Sequence, residues 1–450
     1  MSMFPNNYQP ISDATPATAA QDESGPNEEP VKAKAVTWMG TYNVGLTDID
    51  VPGITQDQEV VLKVTATSLS GRDLHLWHGQ VAGIEAGTVV GHECMGIVDK
   101  VGSEVKTLKQ GDRVVVASNI ACGNCRFCNH KLTSLCDRTA QTTGDQRIEA
   151  QRANNSHGVI PGRMVGGQAE YVTTKKVAQL PREFPNLYRQ LTRAAVIALF
   201  LSDVLPAAYH CVKDTGVKEG DVVGIWGLGP VGQAAVRWAA LAGAKRIYAI
   251  DKLDSRLTLA RQGVKAGVVQ TINYEQLDQL DDVVEFLLAK CPEGLDCAID
   301  CTSTHEPKSL LHKAEKALRL ESDSPNVINE CVRSWEEILE KIASNEFDPS
   351  FLITQRIRLE DLPEFYPIWG SRVPSIQKVF VVTQFSPEQA HPGTPELTSG
   401  QQLERLGGGR RRSSLLETVQ QMGGRRRSSF LASVFNEGKT LLDKALGTAH

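Results

Sequence analysis

The stretch from residue 222 to residue 251 limits the fold of this chain more than any other part of it. A five-residue apolar run, Val222–Trp226, leads at once into Gly227-Leu228-Gly229-Pro230-Val231-Gly232, and a helical pattern occupies residues 233–242. Strand, glycine turn and helix in that order form a phosphate cradle, whereas the same glycines in isolation would be a weak signal. The first glycine permits a tight turn, the second lets a pyrophosphate approach the backbone, and the third lets helix and strand pack closely. Phosphate then lies at the helix N-terminus, where peptide dipoles and unpaired N–H groups favour an anion. Asp251 closes the next predicted strand, where a carboxylate accepts hydrogen bonds from an adenosine ribose and repels a 2′-phosphate. NAD is therefore favoured over NADP. Arg256, one helical turn on, is a candidate for the adenine edge, and a solvated surface arginine is the alternative.

Patterning on either side divides the chain. Valine-rich runs at 31–36, 59–66, 88–101 and 111–117 alternate with turn residues and predict a compact β-rich domain. After residue 191, Ala- and Leu-rich helices separate buried strands at 222–226, 246–250, 269–272 and 295–299, the signature of a doubly wound α/β domain. Strands are predicted again at 351–357 and 377–383. From about residue 386 the composition turns to Gln, Gly, Ser and Arg without periodicity and reads as a flexible extension. The first thirty residues read as a disordered leader, having neither a signal-peptide core nor a transit-peptide pattern. The longest apolar stretch, 194–201, falls well short of the roughly 20 residues a bilayer-spanning helix needs. A formal net charge of −5 gives no electrostatic reason for a nucleic-acid partner. A soluble cytoplasmic protein with reduced thiols is expected.

Four of the ten cysteines, Cys122, Cys125, Cys128 and Cys136, form C-x2-C-x2-C-x7-C. That spacing lets four thiolates converge on one tetrahedral ion, a closed structural zinc site; a redox dithiol accounts for two of them only. With this lobe, the preceding Gly91-His92-Glu93-Cys94-Met95-Gly96 and the glycine loop, the chain resembles the zinc-type medium-chain alcohol dehydrogenases. Leu201-Ser202-Asp203-Val204-Leu205-Pro206, Gly166-Gly167-Gln168-Ala169-Glu170-Tyr171 and, more weakly, Phe347-Asp348-Pro349-Ser350-Phe351 are similar to the formaldehyde dehydrogenase-like branch. The resemblance covers most of residues 31–383. It implies a GroES-like β-rich domain interleaved with an NAD-binding Rossmann domain. The resulting boundaries are a leader at 1–30, the GroES-like catalytic domain with its zinc lobe at 31–205, the Rossmann domain at 206–345, a return to the catalytic domain at 346–385 and a basic tail at 386–450.

By the same resemblance a second zinc with one open position would be held by position 70, His92 and Asp203, with Glu93 beside it, and the protein would supply a proton path to solvent. Position 70, a cysteine in the family, is Ser70 here, and a neutral hydroxyl is a far poorer zinc ligand than a thiolate. The family's small hydroxyl residue two positions on is Arg72, a fixed cation. Asp73 and His75 match the pattern, and His75 would end the relay. On the residues alone, His92 and Glu93 also read as a hydrogen-bonded polar pair, and Asp203 as a helix cap.

A second departure lies at Ser334-Trp335, where the family has two further strands; the Rossmann sheet is predicted to be truncated, leaving the strand ending at Ile299 as an exposed apolar edge. In the tail, Gly-Arg-Arg-Arg-Ser-Ser occurs at 409–414 and 424–429, making Ser414 and Ser429 candidate kinase sites. Apolar residues from Phe430 to Leu446 recur at helical spacing, a candidate amphipathic helix. Two functions follow as expectations: NAD-dependent oxidation of a small alcohol or reduction of an aldehyde, in a homo-oligomer; or a catalytically impaired NAD- and zinc-binding relative serving as a scaffold.

Overall fold

Alternating valines do become sheet in the first part of the chain. The computed structural model describes residues 31–81, 84–118, 125–130, 166–174, 177–179, 198–277, 282–302, 334–371 and 376–386. The leader, the tail with Ser414 and Ser429, and residues 303–333 lie outside them. β1 (Lys32–Gly40) and β2 (Asn43–Asp50) form an antiparallel pair. β2 was not expected from the sequence: only Val44 is buried along it, so its apolar alternation is faint. β3 (Val60–Leu69) is buried along nearly its whole length, and the helix α1 (Gly71–Trp77) follows it directly. β4 (Cys94–Val101), β5 (Arg113–Val116), the short helix α2 (Arg126–Asn129), β6 (Tyr171–Thr174) and β7 (Val177–Gln179) complete this region.

The α/β region runs α3 (Val204–Asp214), β8 (Val222–Trp226), α4 (Pro230–Leu241), β9 (Arg246–Asp251), α5 (Asp254–Arg261), β10 (Val269–Asn273), α6 (Asp282–Lys290) and β11 (Cys297–Asp300). Its sheet is parallel in the order β10-β9-β8-β11, half of a doubly wound arrangement. Then come α7 (Trp335–Ala343), β12 (Ile353–Arg358), α8 (Leu362–Gly370) and β13 (Lys378–Val382). β13 pairs antiparallel with β3, so this late segment joins the early sheet, whose order is β12-β13-β3-β4-β5-β7 with β6 also on β3.

One expectation is corrected here. Among the described residues β11 pairs only with β8, yet it is not an exposed apolar edge, because Cys297 and Ile299 are buried in the core that also holds Trp335 and Ile338 of α7. The helix just beyond the Ser334-Trp335 junction is itself tied in: Trp335 Nε1 donates to Leu201 O at 2.7 Å, and His210 of α3 bridges Asp214 (3.1 Å) and Ser334 (3.2 Å). The same core extends from Met95 and Phe380 through Val204 to Leu228 and Ala234. No described helix is long and apolar enough to cross a membrane.

Candidate functional site

Ser70 ends β3 and caps α1. Its hydroxyl accepts from Arg72 N at 3.2 Å, while its own backbone N–H donates to Asp73 Oδ2 at 2.7 Å, a reciprocal cap. Asp73 is thereby fixed, fully buried, with Oδ1 lying 3.3 Å from His92 Nδ1. Held there, His92 presents Nε2 to Ser70 Oγ at 3.3 Å and to Asp203 Oδ2 at 3.5 Å. Burial works against a charged imidazole, but the Asp73 and Asp203 carboxylates outweigh it and push His92 up to about 9.

Asp203 stands at the N-cap of α3, yet its side chain makes no capping bond; it accepts instead from Ser118 Oγ at 2.9 Å and faces His92. The capping alternative is thus excluded by geometry. Burial penalises its charge, and the nearby Arg72 cation with hydrogen bonds from His92 and Ser118 holds the carboxyl far below the usual carboxylate range. Glu93 is not paired to His92 either. Its Oε2 accepts from Ser68 Oγ and forms a fully buried ion pair with Lys378 of β13, while Oε1 is buried without a hydrogen-bond partner.

One ligand atom each from His92, Glu93 and Asp203 lies within 4.8 Å of the others. One imidazole nitrogen and two carboxylates, one of them carrying the orphaned Glu93 Oε1, fit a divalent cation in kind. The fit is weaker than a thiolate set would give, since Ser70 adds no charge and Arg72 already serves Asp203. In the cysteine lobe, Cys125 and Cys128 lie three residues apart across α2, on one face of that turn, and Cys128 is buried. Cys122 and Cys136 fall outside the described residues. His75 sits in the last turn of α1 with Nδ1 at 2.6 Å from Gln80 Oε1, and the contacts around His92 given above do not include it.

The glycine loop has the geometry its sequence requires. Gly227 adopts φ +81°, and a Cβ at Gly232 would lie 1.9 Å from Gly227 O, so neither position accepts a side chain without movement. A Cβ at Gly229 would meet nothing within 4 Å, and no side chain caps α4, which starts at Pro230 and Val231. An open approach to an uncapped helix N-terminus fits a dinucleotide's pyrophosphate. Asp251, also buried, does more than its sequence position suggests: it accepts from Leu228 N (2.7 Å), Lys252 N (2.8 Å) and Leu253 N (2.9 Å) and so clamps the loop to β9. Arg256 Nη1 lies 3.5 Å from it, so Arg256 is a partner of the acid and not a freely solvated arginine.

Sequence reasoning missed Lys378, Ser68, Ser118 and Tyr366. Lys378 had a signal: a lysine opening the apolar run Val379 to Val382 needs a buried partner. The others had none: Ser68 and Ser118 stand close to Ser70 and Cys122 in sequence, but nothing in the spacing of such common residues marks them as partners of Glu93 and Asp203. Gln168, noted only within a motif, proves to be a buried strut, donating to Ser68 O at 3.0 Å and accepting from Tyr366 Oη at 2.8 Å.

Comparison with known proteins bears on the whole arrangement. Residues 56–182 match the alcohol dehydrogenase GroES-like domain, and residues 230–318 match the zinc-binding dehydrogenase domain. A zinc-type alcohol dehydrogenase-like protein of Schizosaccharomyces pombe is 31% identical over 402 residues, covering 77% of this chain and 90% of the relative. A glutathione-independent formaldehyde dehydrogenase of Bacillus subtilis is 32% identical over 284 residues, 60% of this chain and 65% of that protein. The solved alcohol dehydrogenase of Thermus sp. ATN1 shares the fold, with a TM-score of 0.64 at 24% identity over 78% of this chain and all of that one. With its β-rich sheet, its parallel nucleotide-binding sheet and this likeness, the chain belongs to the zinc-type alcohol dehydrogenase family of oxidoreductases.

Proposed function

We propose that the chain is an NAD-dependent oxidoreductase interconverting a small alcohol and its aldehyde. The observation that carries this reading is the convergence of His92, Glu93 and Asp203. It lies beside the core that supports the dinucleotide loop, in which Val204, next to Asp203, packs with Leu228 and Ala234. NAD, seated on the glycine loop, would supply the hydride acceptor. A metal ion on His92, Glu93 and Asp203 would supply the positive charge that makes an alcohol oxygen acidic and polarises a carbonyl. The protein's own part is positioning: Asp73 orients the His92 ring through Nδ1, Ser118 fixes Asp203, and Ser68 with Lys378 fixes Glu93. Burial of His92, Glu93 and Asp73 keeps water from competing for these groups. The repeats ending at Ser414 and Ser429 add a kinase as a partner, and a second copy of the chain another, both supported by sequence reading alone.

A second reading, a catalytically impaired NAD- and zinc-binding relative, is favoured by Arg72, whose charge already stabilises Asp203. Steady-state assay of the full chain with NAD and short primary alcohols or formaldehyde, alongside its metal content, separates the two. Turnover lost in His92→Ala supports the first. NAD binding without turnover at saturating zinc overturns it in favour of the second.

A further inference from the structure

Gln233, in the first turn of α4 directly after the glycine loop, is fully enclosed. Its Nε2 donates to Leu228 O at 3.2 Å and to Arg256 O at 2.8 Å. Both partners are carbonyls, so the amide nitrogen must face them, and Oε1 is left buried without a hydrogen-bond partner among the described residues. These bonds close a ring. Leu228, held through its carbonyl by Gln233, is held through its N–H by Asp251 Oδ2 at 2.7 Å. Arg256, held through its carbonyl by Gln233, places Nη1 3.5 Å from the same Asp251 oxygen. Arg237, one helical turn further along α4, adds a second tie by donating to Gln262 O at 2.8 Å, at the far end of α5. Among the described residues no side chain caps the N-terminus of α5, and along it Leu257 and Ala260 alone are buried, so polar ties from α4 carry much of its placement.

We propose that Gln233 is a positioning residue for the adenosine half of NAD, holding α5 and the end of β9 in register with the glycine loop. The inference rests on the reading of that loop as the NAD site. An apolar side chain of equal volume would fill the same space and leave no orphaned amide oxygen, so packing alone does not account for a glutamine here. What the amide adds is direction: two donors on one planar group fix the Leu228 and Arg256 carbonyls relative to each other. The pyrophosphate belongs on the loop and the adenosine ribose at Asp251, and the two are covalently joined in the ligand, so their sites must keep one spacing. Holding that spacing before binding lowers the ordering cost that the dinucleotide would otherwise meet.

The test is calorimetric titration of the full-length protein and its Gln233→Met and Gln233→Glu variants with NAD and with AMP, which carries the adenosine half alone. Gln233→Met fills the space without donors and should weaken NAD and AMP alike, roughly tenfold each for two lost hydrogen bonds. The emission of bound NADH at saturation should stay as in the parent, because the nicotinamide end is untouched. Gln233→Glu, when ionised, turns a carboxylate toward two carbonyls and should bind NAD more weakly still. Burial raises its pKa above the usual value of about 4.3, so acidification from about pH 8 to about pH 6 should restore part of the affinity, relative to the parent, by returning one O–H donor. A general loss of packing would not respond to pH in this way. A loss for NAD that AMP does not share would overturn the proposal, as would a Gln233→Glu pH profile parallel to that of the parent. Should Gln233→Met fail to fold, the Gln233→Glu profile decides. A parent protein that binds no NAD would overturn the dinucleotide reading itself, whereas parent-level NAD binding by both variants removes only the role of Gln233.

Discussion

The proposed dinucleotide loop is built from one continuous run of backbone, whereas the His92 cluster is built from side chains carried by segments as far apart as Ser68 and Lys378. In the loop, chemistry depends on what is missing: no Cβ at Gly229, no cap on α4. In the cluster it depends on charge balance, with Asp73, Glu93 and Asp203 set against His92, Arg72 and Lys378. A backbone site fails when an atom is added to it. A charge-balanced site fails when one partner is removed.

That contrast orders the expected effects. Lys378→Met should be the most damaging change, because it leaves Glu93 buried and unpaired, at a cost of about 3–5 kcal/mol. Chemical denaturation measures it, and a loss too small to resolve would mean that the pair is not buried in solution. Gly232→Ala comes next, costing about 1–3 kcal/mol through its clash with Gly227 O and removing NAD binding. An unaltered NAD titration for that variant would show that the loop has room the structure denies it.

The same contrast explains what the sequence reveals. Strands β8 to β10, the loop and Asp251 were legible because spacing along the chain is their geometry. Ser70 and Arg72 were legible as departures, since both stand in a recognisable segment. Their consequence was not: Ser70 caps its own helix α1 in a local box with Asp73, while Arg72 holds Asp203 ionised, which depends on the distant helices α1 and α3 meeting. The buried flank of β11 was misjudged for a like reason, because α7, which shares its core, lies more than thirty residues further along the sequence.

Smaller effects sharpen the comparison. The double change Ser70→Cys with Arg72→Ser should tighten metal binding at His92 by roughly tenfold, about 1.4 kcal/mol, by adding a soft charged ligand and removing a competing cation. Competition with a chelator reads it, and unchanged affinity would mean that position 70 does not reach the ion. Asp251→Asn removes the charge and one of the two accepting oxygens, and should narrow the NAD over NADP preference by about 0.5–1.5 kcal/mol. Parallel titrations with the two nucleotides would show it, and an unchanged ratio would reduce Asp251 to a loop clamp.

The central claim, that His92, Glu93 and Asp203 form a metal centre separate from the cysteine lobe, is tested most directly by the zinc content of the protein and its His92→Ala variant after equilibration with zinc and removal of the excess. The account predicts that the variant retains the lobe's ion and holds one zinc fewer per chain than the parent. Equal zinc in the two proteins, with the variant folded, would contradict it.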